Sequence, residues 1–327
     1  SHLKSQCETA SLTSCLRSLP AEWPDDLLPE ITAQVAASGR KIVVLDDDPT
    51  GTQTVHGVPV LTHWSVDALS GALTDPAPAV YLLTNSRSLT EPDAVKLGRT
   101  IGANLAVAAA QTGVALEVVS RSDSTLRGHF PAEVDALGEA MGSGQIPCLL
   151  VPFFLEGGRY TVDNVHYVAD GDLLTPAAQT AYARDAVFGY TNSDLRHWVA
   201  EKTKGAISAD QVGVISLGDL RREGPATVAA KLSELGPGSV CVVNAASYRD
   251  LEVLVAGLLQ AEAAGKRFIF RTAASFVRVR AGIAPRDLLA AKDLTSDGDH
   301  GGLFVVGSYV PKTTAQLAAL NGREGIV

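Results

Sequence analysis

The sequence is poor in basic and aromatic residues. Its 27 lysines and arginines are outnumbered by 36 aspartates and glutamates, which gives a net charge of −9. A general nucleic-acid or membrane-surface binder needs a basic footprint, so this balance argues against both classes. An acidic ligand would have to meet a local cluster of arginines. Aromatic residues make up 6% of the chain against 46% for all hydrophobic residues, which suits alanine- and valine-rich helices packed on a parallel sheet.

Cysteine motifs and long apolar runs are also missing. Cys7, Cys15, Cys148 and Cys241 show no Cys-x-x-Cys spacing, which argues against a zinc cluster or a disulfide framework and predicts free thiols in a reducing compartment. No run approaches the ~18 apolar residues that a membrane span requires. The first residues lack a basic region followed by an apolar stretch. We therefore expect a cytoplasmic protein.

The stretch 41–56, KIVVLDDDPTGTQTVH, organises the chain. Residues 42–45 form a short β-branched run that is typical of a buried strand, and Asp46, Asp47 and Asp48 follow at once. In an open α/β sheet the ligand crevice lies beyond the carboxyl ends of the strands, so we expect these acids to face a site. Adjacent like charges need a cation, a donor-rich ligand or an arginine to neutralise them. A solvated turn is the alternative interpretation, because Asp, Pro, Thr and Gly are all turn residues.

Two further predicted strands deliver polar side chains to the same edge. The run 80–84 precedes Asn85 and Arg87, and the run 115–120 precedes RSDSTLRGH at 121–129. An arginine fork matches a carboxylate or phosphate in a bidentate way, whereas Asp and Asn match sugar hydroxyls. Each arginine taken alone is better explained by a surface ion pair. The convergence of several arginines and acids behind aligned strands favours a ligand site.

The remaining chain continues the alternation of strands and helices. Gly157 and Gly158, beside Arg159, permit close backbone approach to an anion, although two adjacent glycines are weak evidence. The fold class predicted is α/β, with one or more mostly parallel sheets flanked by helices in three αβα layers. The second half forms either a second sheet or a continuation of the first. One or two short helices are predicted within 3–40, and further helices at 90–113, 226–235 and 248–264, with another that begins at 131. Strands are predicted at 147–152, 212–217, 240–243 and 268–270, and a hairpin at 164–174.

The last apolar run, at 303–306, is predicted to be a strand that ends at Gly307 and Ser308. A helix follows, with Lys312 near its beginning. A strand, a glycine-serine turn and a helix N-terminus resemble a phosphate-binding corner. One strand and one helix cannot bury a core of their own, so we expect a two-domain architecture whose C-terminal domain is truncated.

Four motifs together resemble the four-carbon acid sugar kinase family. They are DDPTG at 47–51, SRSDSTLRG at 120–128, GRYT at 158–161 and VGSYVPKTT at 306–314. The serine-arginine-aspartate segment is specific, and the other three occur in the family's order. The resemblance covers about residues 40–327. It implies an acid-sugar-binding α/β domain at 41–295 and the beginning of an incomplete nucleotide-binding domain at 301–327. The residues before it, 1–40, are predicted from their own pattern to be an N-terminal helical extension.

The resemblance implies an ATP-dependent kinase that phosphorylates the terminal 4-hydroxyl of D-threonate, D-erythronate or 3-oxo-tetronate. Mg²⁺ would be held mostly by phosphates and water rather than by protein ligands. Phosphoryl transfer needs positioning, charge neutralisation and an oriented hydroxyl. A homodimer is the expected assembly. The implied site comprises the catalytic candidates Asp47, Asp48 and Asp123, one of them as base, the substrate-binding candidates Thr50, Asn85, Arg87, Arg121, Ser122, Arg127, Gly158 and Arg159, and the nucleotide contacts Gly307, Ser308 and Lys312.

Two other interpretations stay open. Asp46-x-Asp48-x-Thr50 behind a strand also matches the first motif of haloacid-dehalogenase-like, Mg²⁺-dependent phosphatases, in which the first acid is the nucleophile. Such an enzyme also needs an acidic pair after a later strand, for which residues 297–299 are the nearest candidate. The incomplete nucleotide domain is also compatible with a non-catalytic module that only binds sugar acids.

Overall fold

The computed structural model describes residues 8–142, 145–294, 302–307 and 311–326. These residues belong to two compact units, one ending at Pro285 and the other beginning at Arg286. The functional division of the sequence at 295 and 301 stays a prediction. The strands are β1 Ala10–Ser11, β2 Lys41–Asp46, β3 Val60–Leu61, β4 Ala79–Leu83, β5 Leu116–Arg121, β6 Cys148–Val151, β7 Arg159–Val162, β8 Val165–Asp170, β9 Leu173–Pro176, β10 Gly213–Ile215, β11 Val240–Val243 and β12 Ile269–Thr272. The helices are α1 Leu12–Ser18, α2 Leu28–Ser38, α3 Val66–Leu73, α4 Glu91–Thr112, α5 Ala132–Ala140, α6 Leu195–Lys202, α7 Pro225–Glu234, α8 Tyr248–Ala263, α9 Ala274–Arg280, α10 Ala291–Leu294 and α11 Pro311–Asn321.

The first unit is built on an eight-stranded sheet in the order β10-β11-β6-β12-β5-β2-β4-β3. Each pair of neighbouring strands in it runs parallel. Strands from both halves of the sequence share this sheet, so the second half continues the first. The predicted α/β fold with a mostly parallel sheet is confirmed.

Helices cover both faces of this sheet, as the side chains of β2 show. Ile42 and Val44 pack in one hydrophobic core with residues of α2, α7, α8 and α9. Val43 and Leu45 pack in a second core with residues of α3, α4, α5 and α6. Successive side chains of a strand point to opposite faces, and a strand buried on both faces therefore reads as a continuous apolar run. The layers are thus helix, sheet and helix.

The crossover helix α4 shows why the local sequence signals work. Thr90 caps its N-terminus by accepting a hydrogen bond from the backbone N–H of Asp93, and a proline lies in the first turn. The helix ends at Gly113, whose φ of 70° is the left-handed conformation that glycine adopts readily. Both boundaries lie where the sequence predicts them.

A smaller antiparallel sheet, in the order β1-β9-β8-β7, lies beside the large one. Strands β8 and β9 form the predicted hairpin, with Gly171 at φ 58° in its turn. Thr161 of β7 exchanges backbone hydrogen bonds with Ala245, which follows β11. Because β7 begins at Arg159, this small sheet fixes one predicted site residue against the large sheet.

The predicted strand at 303–306 is wrong. Residues 302–307 have no regular structure, and Leu303 is 89% exposed. An apolar run becomes a strand only when a neighbouring strand completes its hydrogen-bond ladder, and the described residues of the second unit contain none. The predicted helix is present as α11, which begins at Pro311. Within the described ranges, no helix is long and apolar enough to cross a membrane.

Close packing between α7 and α8 gives a test of the fold. A Cβ at Gly257 would lie 2.7 Å from both the Val228 Cβ and the Pro225 carbonyl oxygen. We expect Gly257→Ala to lower the free energy of unfolding by about 1–3 kcal/mol through overpacking. Gly71→Ala is the matched control, because a Cβ there meets no atom within 4 Å and alanine favours helix by about 0.5–1 kcal/mol. Urea unfolding that showed both variants equally stable would contradict this packing.

Candidate active site at the carboxyl ends of the strands

The register of the neighbouring strands β2, β5 and β12 places the charged loops that follow them side by side. Asp46 at the end of β2 lies opposite Arg121 at the end of β5, and Arg121 lies opposite Thr272 of β12. The backbone N–H of Asp47 donates to the Arg121 carbonyl oxygen at 3.2 Å, which extends the ladder by one residue. The loops behind three adjacent strands therefore start from one edge, where an open α/β sheet binds its ligand.

Arg121 neutralises the acid loop from below. Its Nη1 lies 3.1 Å from Asp46 Oδ1, 3.5 Å from Asp47 Oδ1 and 3.8 Å from Asp48 Oδ1. Asp46 and Asp47 are only 3% and 2% exposed. Gly51 lies against the Asp46 side chain, and a Cβ at this position would collide with that carboxylate. The turn after β2 thus folds back on Asp46, whereas Asp48 lines the cavity described below.

Arg87 joins the loop behind β2 to the loop behind β5. It forms an ion pair with Asp48, and its Nη1 lies 3.0 Å from Asp123 Oδ1. Asp48 also accepts hydrogen bonds from the Thr50 backbone N–H at 2.7 Å and the Thr50 hydroxyl at 2.5 Å. The adjacent negative charges are therefore met by arginines of the protein itself. The interpretation of 46–48 as a solvated turn does not fit this arrangement.

The polar segment 121–129 is held by contacts on several sides. Asp123 accepts hydrogen bonds from Arg127 Nε at 2.8 Å and Nη2 at 3.3 Å, and from the Thr125 hydroxyl. The His166 ring Nε2 lies 2.7 Å from the Ser124 carbonyl oxygen, and burial lowers the pKa of this histidine to about 4. Because the carbonyl can only accept, the neutral ring donates from Nε2. The loop is therefore preformed rather than left to fold around a ligand.

Three buried aspartates of the site differ in their proton affinity. Burial raises the pKa of Asp47 to about 7 and that of Asp46 to about 6, although Arg87 and Arg121 act in the opposite direction. Burial would also raise the pKa of Asp123, but the hydrogen bond and charge of Arg127 outweigh it, and the pKa falls to about 2. Asp123 is therefore an ionised acceptor at any physiological pH, whereas Asp47 gains a proton close to neutrality.

These side chains surround a cavity of about 250 Å³. Four arginines and two aspartates line it, so its walls carry more positive than negative charge. Such a cavity suits a small anion that also carries hydroxyl groups. The lining residues are Asp48, Thr50, Gln53, Arg87, Arg121, Ser122, Asp123, Ser124, Thr125, Arg127, Phe154, Arg159, Tyr182 and Ala274.

Several predicted residues lie outside this lining. Asp47 lies beneath it, beside Arg121 and Arg87. Asn85 is exposed, and its amide donates to Ser88 in the turn after β4, so its polar type reflects that turn. Gly158 has φ 72° and packs on Ala169, so it shapes the turn before β7 instead of lining the cavity. Gly307 and Lys312 belong to the second unit, and Ser308 lies outside the described residues.

The site prediction also omits Tyr182 and Arg271, which belong to this region. Tyr182, in a turn after the hairpin, lines the cavity, and nothing near it in the sequence marks it as a site residue. Arg271 is the last residue but one of β12, and this place near the end of a strand is a signal in the sequence. It is 1% exposed and donates from Nη2 to the Arg127 carbonyl oxygen at 3.0 Å. It therefore supports the loop from below and does not line the cavity.

A larger cavity, of about 640 Å³, opens at the other end of the strands, where Cys148, Val240 and Ile269 begin them. Its charged lining mixes lysines with acids on α4 and α5 and converges on no single point. We place the candidate site in the smaller cavity, because the arginine and aspartate side chains of three loops meet there.

The match to a family model agrees with this site. Residues 42–280 match the model of the sugar-binding N-terminal domain. The chain belongs to this sugar-binding domain family. The match confirms the resemblance to the four-carbon acid sugar kinases, since a D-threonate kinase of Bordetella bronchiseptica is 30% identical over 224 residues. That alignment covers 66% of this chain and 49% of the kinase, so the chain spans about half the length of that relative.

Solved structures of this family share the fold. A domain of unknown function from Bordetella bronchiseptica, crystallised with citrate as a domain-swapped dimer, is 25% identical with a TM-score of 0.56. The superposition covers 73% of this chain and 55% of that one. A Haemophilus influenzae protein of the same family is 19% identical, has a TM-score of 0.53 and is covered over 55% of its length, against 73% of this chain. This second likeness concerns the fold alone.

The raised pKa of Asp47 predicts a pH dependence of stability. Between about pH 4 and pH 7 the folded chain keeps a proton on Asp47 that the unfolded chain releases, so the free energy of unfolding falls as pH rises through this window. Asp47→Asn removes that titration, and we expect a flatter profile in urea unfolding from about pH 5 to about pH 8. Asp46 titrates in both the wild type and the variant. The difference between their two stability profiles therefore reports the titration of Asp47. Parallel profiles would show that Asp47 is ionised throughout.

Proposed function

We propose that this chain supplies the acid-sugar site of an ATP-dependent kinase that phosphorylates the 4-hydroxyl of a four-carbon acid such as D-threonate, D-erythronate or 3-oxo-tetronate. The observation that carries the proposal is the preformed cavity, which four arginines and two aspartates line. The D-threonate kinase relative supports the substrate class and the use of ATP. Citrate in a structural neighbour agrees with an anionic ligand.

Arg159 is the proposed partner of the substrate carboxylate. Arg87, Arg121 and Arg127 each have an aspartate within 3.1 Å. Within the described ranges Arg159 has no carboxylate at ion-pair distance, and its buried Nε lacks a hydrogen-bond partner. One of its Nη atoms donates to the Gly157 carbonyl oxygen, which fixes the side chain. A buried donor without an acceptor costs stability, and an incoming carboxylate supplies that acceptor.

The acids are proposed to bind and orient the substrate hydroxyls. Asp123 is a weak base because its pKa is about 2, but it is a strong hydrogen-bond acceptor. Asp47 has the pKa best matched to proton transfer near neutral pH, yet it lies beneath the cavity wall and is 2% exposed. Asp48 lines the cavity and is our candidate for orienting the reacting hydroxyl. The proposed binding residues around them are Thr50, Arg87, Arg121, Ser122 and Arg127.

ATP and Mg²⁺ are proposed from the family and not from bound groups. ATP supplies the transferred phosphoryl group, and Mg²⁺ neutralises its charge. In the part of the chain that the structure describes, no cluster of three or more His, Cys, Asp or Glu side chains could hold a metal ion. We propose, as the family resemblance implies, that phosphates and water hold the magnesium ion. The proposed nucleotide contacts Gly307, Ser308 and Lys312 belong to the shorter C-terminal unit.

The two alternatives make different demands on the structure. A haloacid-dehalogenase-like phosphatase needs Asp46 as an exposed nucleophile, but Asp46 is 3% exposed and paired with Arg121, which disfavours this class. Residues 297–299 lie outside the described residues. A binding module without turnover is compatible with the cavity. An assay of ADP formation with the bound acid and Mg-ATP separates it from a kinase.

The proposed carboxylate contact gives a direct binding test. D-threonate or D-erythronate at ~100 times its dissociation constant should stabilise the folded chain by about 2.7 kcal/mol, which raises the melting temperature. Arg159→Ala should weaken binding roughly a hundredfold, because losing one member of a buried, charge-assisted pair costs about 2–5 kcal/mol.

Arg99→Ala is the control for that test, since Arg99 forms an exposed pair with Glu139 on the helix surface. We expect this variant to bind like the wild type. If the wild-type melting temperature responds to none of D-threonate, D-erythronate and 3-oxo-tetronate, the proposed function is wrong. If Arg159→Ala binds normally, another arginine holds the carboxylate.

A further inference from the structure

The phenol ring of Tyr182 contacts two of the four cavity arginines. The Arg127 Cζ lies 5.2 Å from the centre of the ring, and the Arg159 Cζ lies 5.6 Å from it. Both distances fall within the ~6 Å over which a guanidinium is attracted to the electron-rich face of an aromatic ring. One ring therefore contacts both cations, and all three side chains line the same cavity.

The two arginines differ in how much this ring contributes to their position. Arg127 is also held by Asp123 and lies 3.8 Å from Asp185. Among the described residues, the guanidinium group of Arg159 contacts the ring and the Gly157 carbonyl oxygen. Two guanidinium groups that lack sufficient anions nearby repel each other and turn outward. The ring offsets this repulsion without neutralising either charge, so both cations stay available to a ligand.

The segment that carries Tyr182 is anchored on the arginine loop. The Tyr190 hydroxyl donates to the Thr125 carbonyl oxygen at 2.8 Å. Phe188 meets the His129 ring edge-on at 4.9 Å between centroids. Asp185 accepts the backbone N–H groups of Phe188 and of its neighbour, which fixes the turn itself. The Tyr182 ring is thus set on the same loop as Arg127.

We propose that Tyr182 is a positioning residue of the carboxylate site, whose ring holds the guanidinium groups of Arg127 and Arg159 in place for one anionic ligand. This inference rests on the proposed function, since it specifies how that function's carboxylate contact is prepared. It assigns the role to the π face of the ring and not to the hydroxyl. It also gives a function to the turn between the hairpin and α6.

Isothermal titration of the whole chain with D-threonate and D-erythronate tests this role. Tyr182→Leu removes the aromatic face, and we expect it to weaken binding roughly tenfold. Tyr182→Phe keeps the face and should restore most of the affinity. Tyr182 is 37% exposed, so neither variant should unfold the chain, and melting curves check this.

A double-mutant cycle with Arg159→Met shows whether Tyr182 acts through Arg159. If it does, adding Tyr182→Leu to Arg159→Met causes a much smaller loss than Tyr182→Leu alone. Additive losses would overturn the role through Arg159. Wild-type affinity in Tyr182→Leu, or equal losses in the Phe and Leu variants, would overturn the role of the ring. A wild-type chain that binds neither of these acids nor 3-oxo-tetronate would overturn the proposed function, and this inference with it.

Discussion

Arg87 and Arg121 neutralise the carboxylates behind β2, and the rest of the site depends on this. Asp46 and Asp47 are almost fully buried, and buried carboxylates without partners would cost several kcal/mol each. Arg121 comes from the end of the adjacent strand, and Arg87 reaches across to Asp123. This network draws three loops against one another. The other three cavity arginines have aspartate partners, and among the described residues Arg159 is the cavity arginine without a carboxylate at ion-pair distance.

The sequence contains enough information to predict the sheet and the core of the site. Parallel strands present their carboxyl ends at one edge, so Asp48, Arg87, Arg121 and Asp123 could be placed together from the strand pattern alone. The alternation of apolar runs with capped helices defines those strands without reference to distant contacts. Such local patterns can predict site residues only in the loop that directly follows each strand.

Features that depend on distant contacts could not be predicted in this way. Tyr182 reaches the cavity because a hairpin and a turn carry it there, and no local motif marks it. Asn85 has the right chemistry for a hydroxyl, but the turn after β4 directs its amide to Ser88. The run 303–306 has the composition of a strand, but in the described residues it lacks the neighbour that a strand requires. The composition of a run can predict a strand, but the strand forms only where a neighbouring strand pairs with it.

A crystal structure of this chain grown with D-threonate would test the account most directly. We expect electron density for the acid in the cavity between the β2 and β5 loops, with its carboxylate hydrogen-bonded to Arg159 and its hydroxyls hydrogen-bonded to Asp48 and Asp123. Density in the larger cavity at the opposite end of the strands, or a carboxylate held away from Arg159, would contradict it.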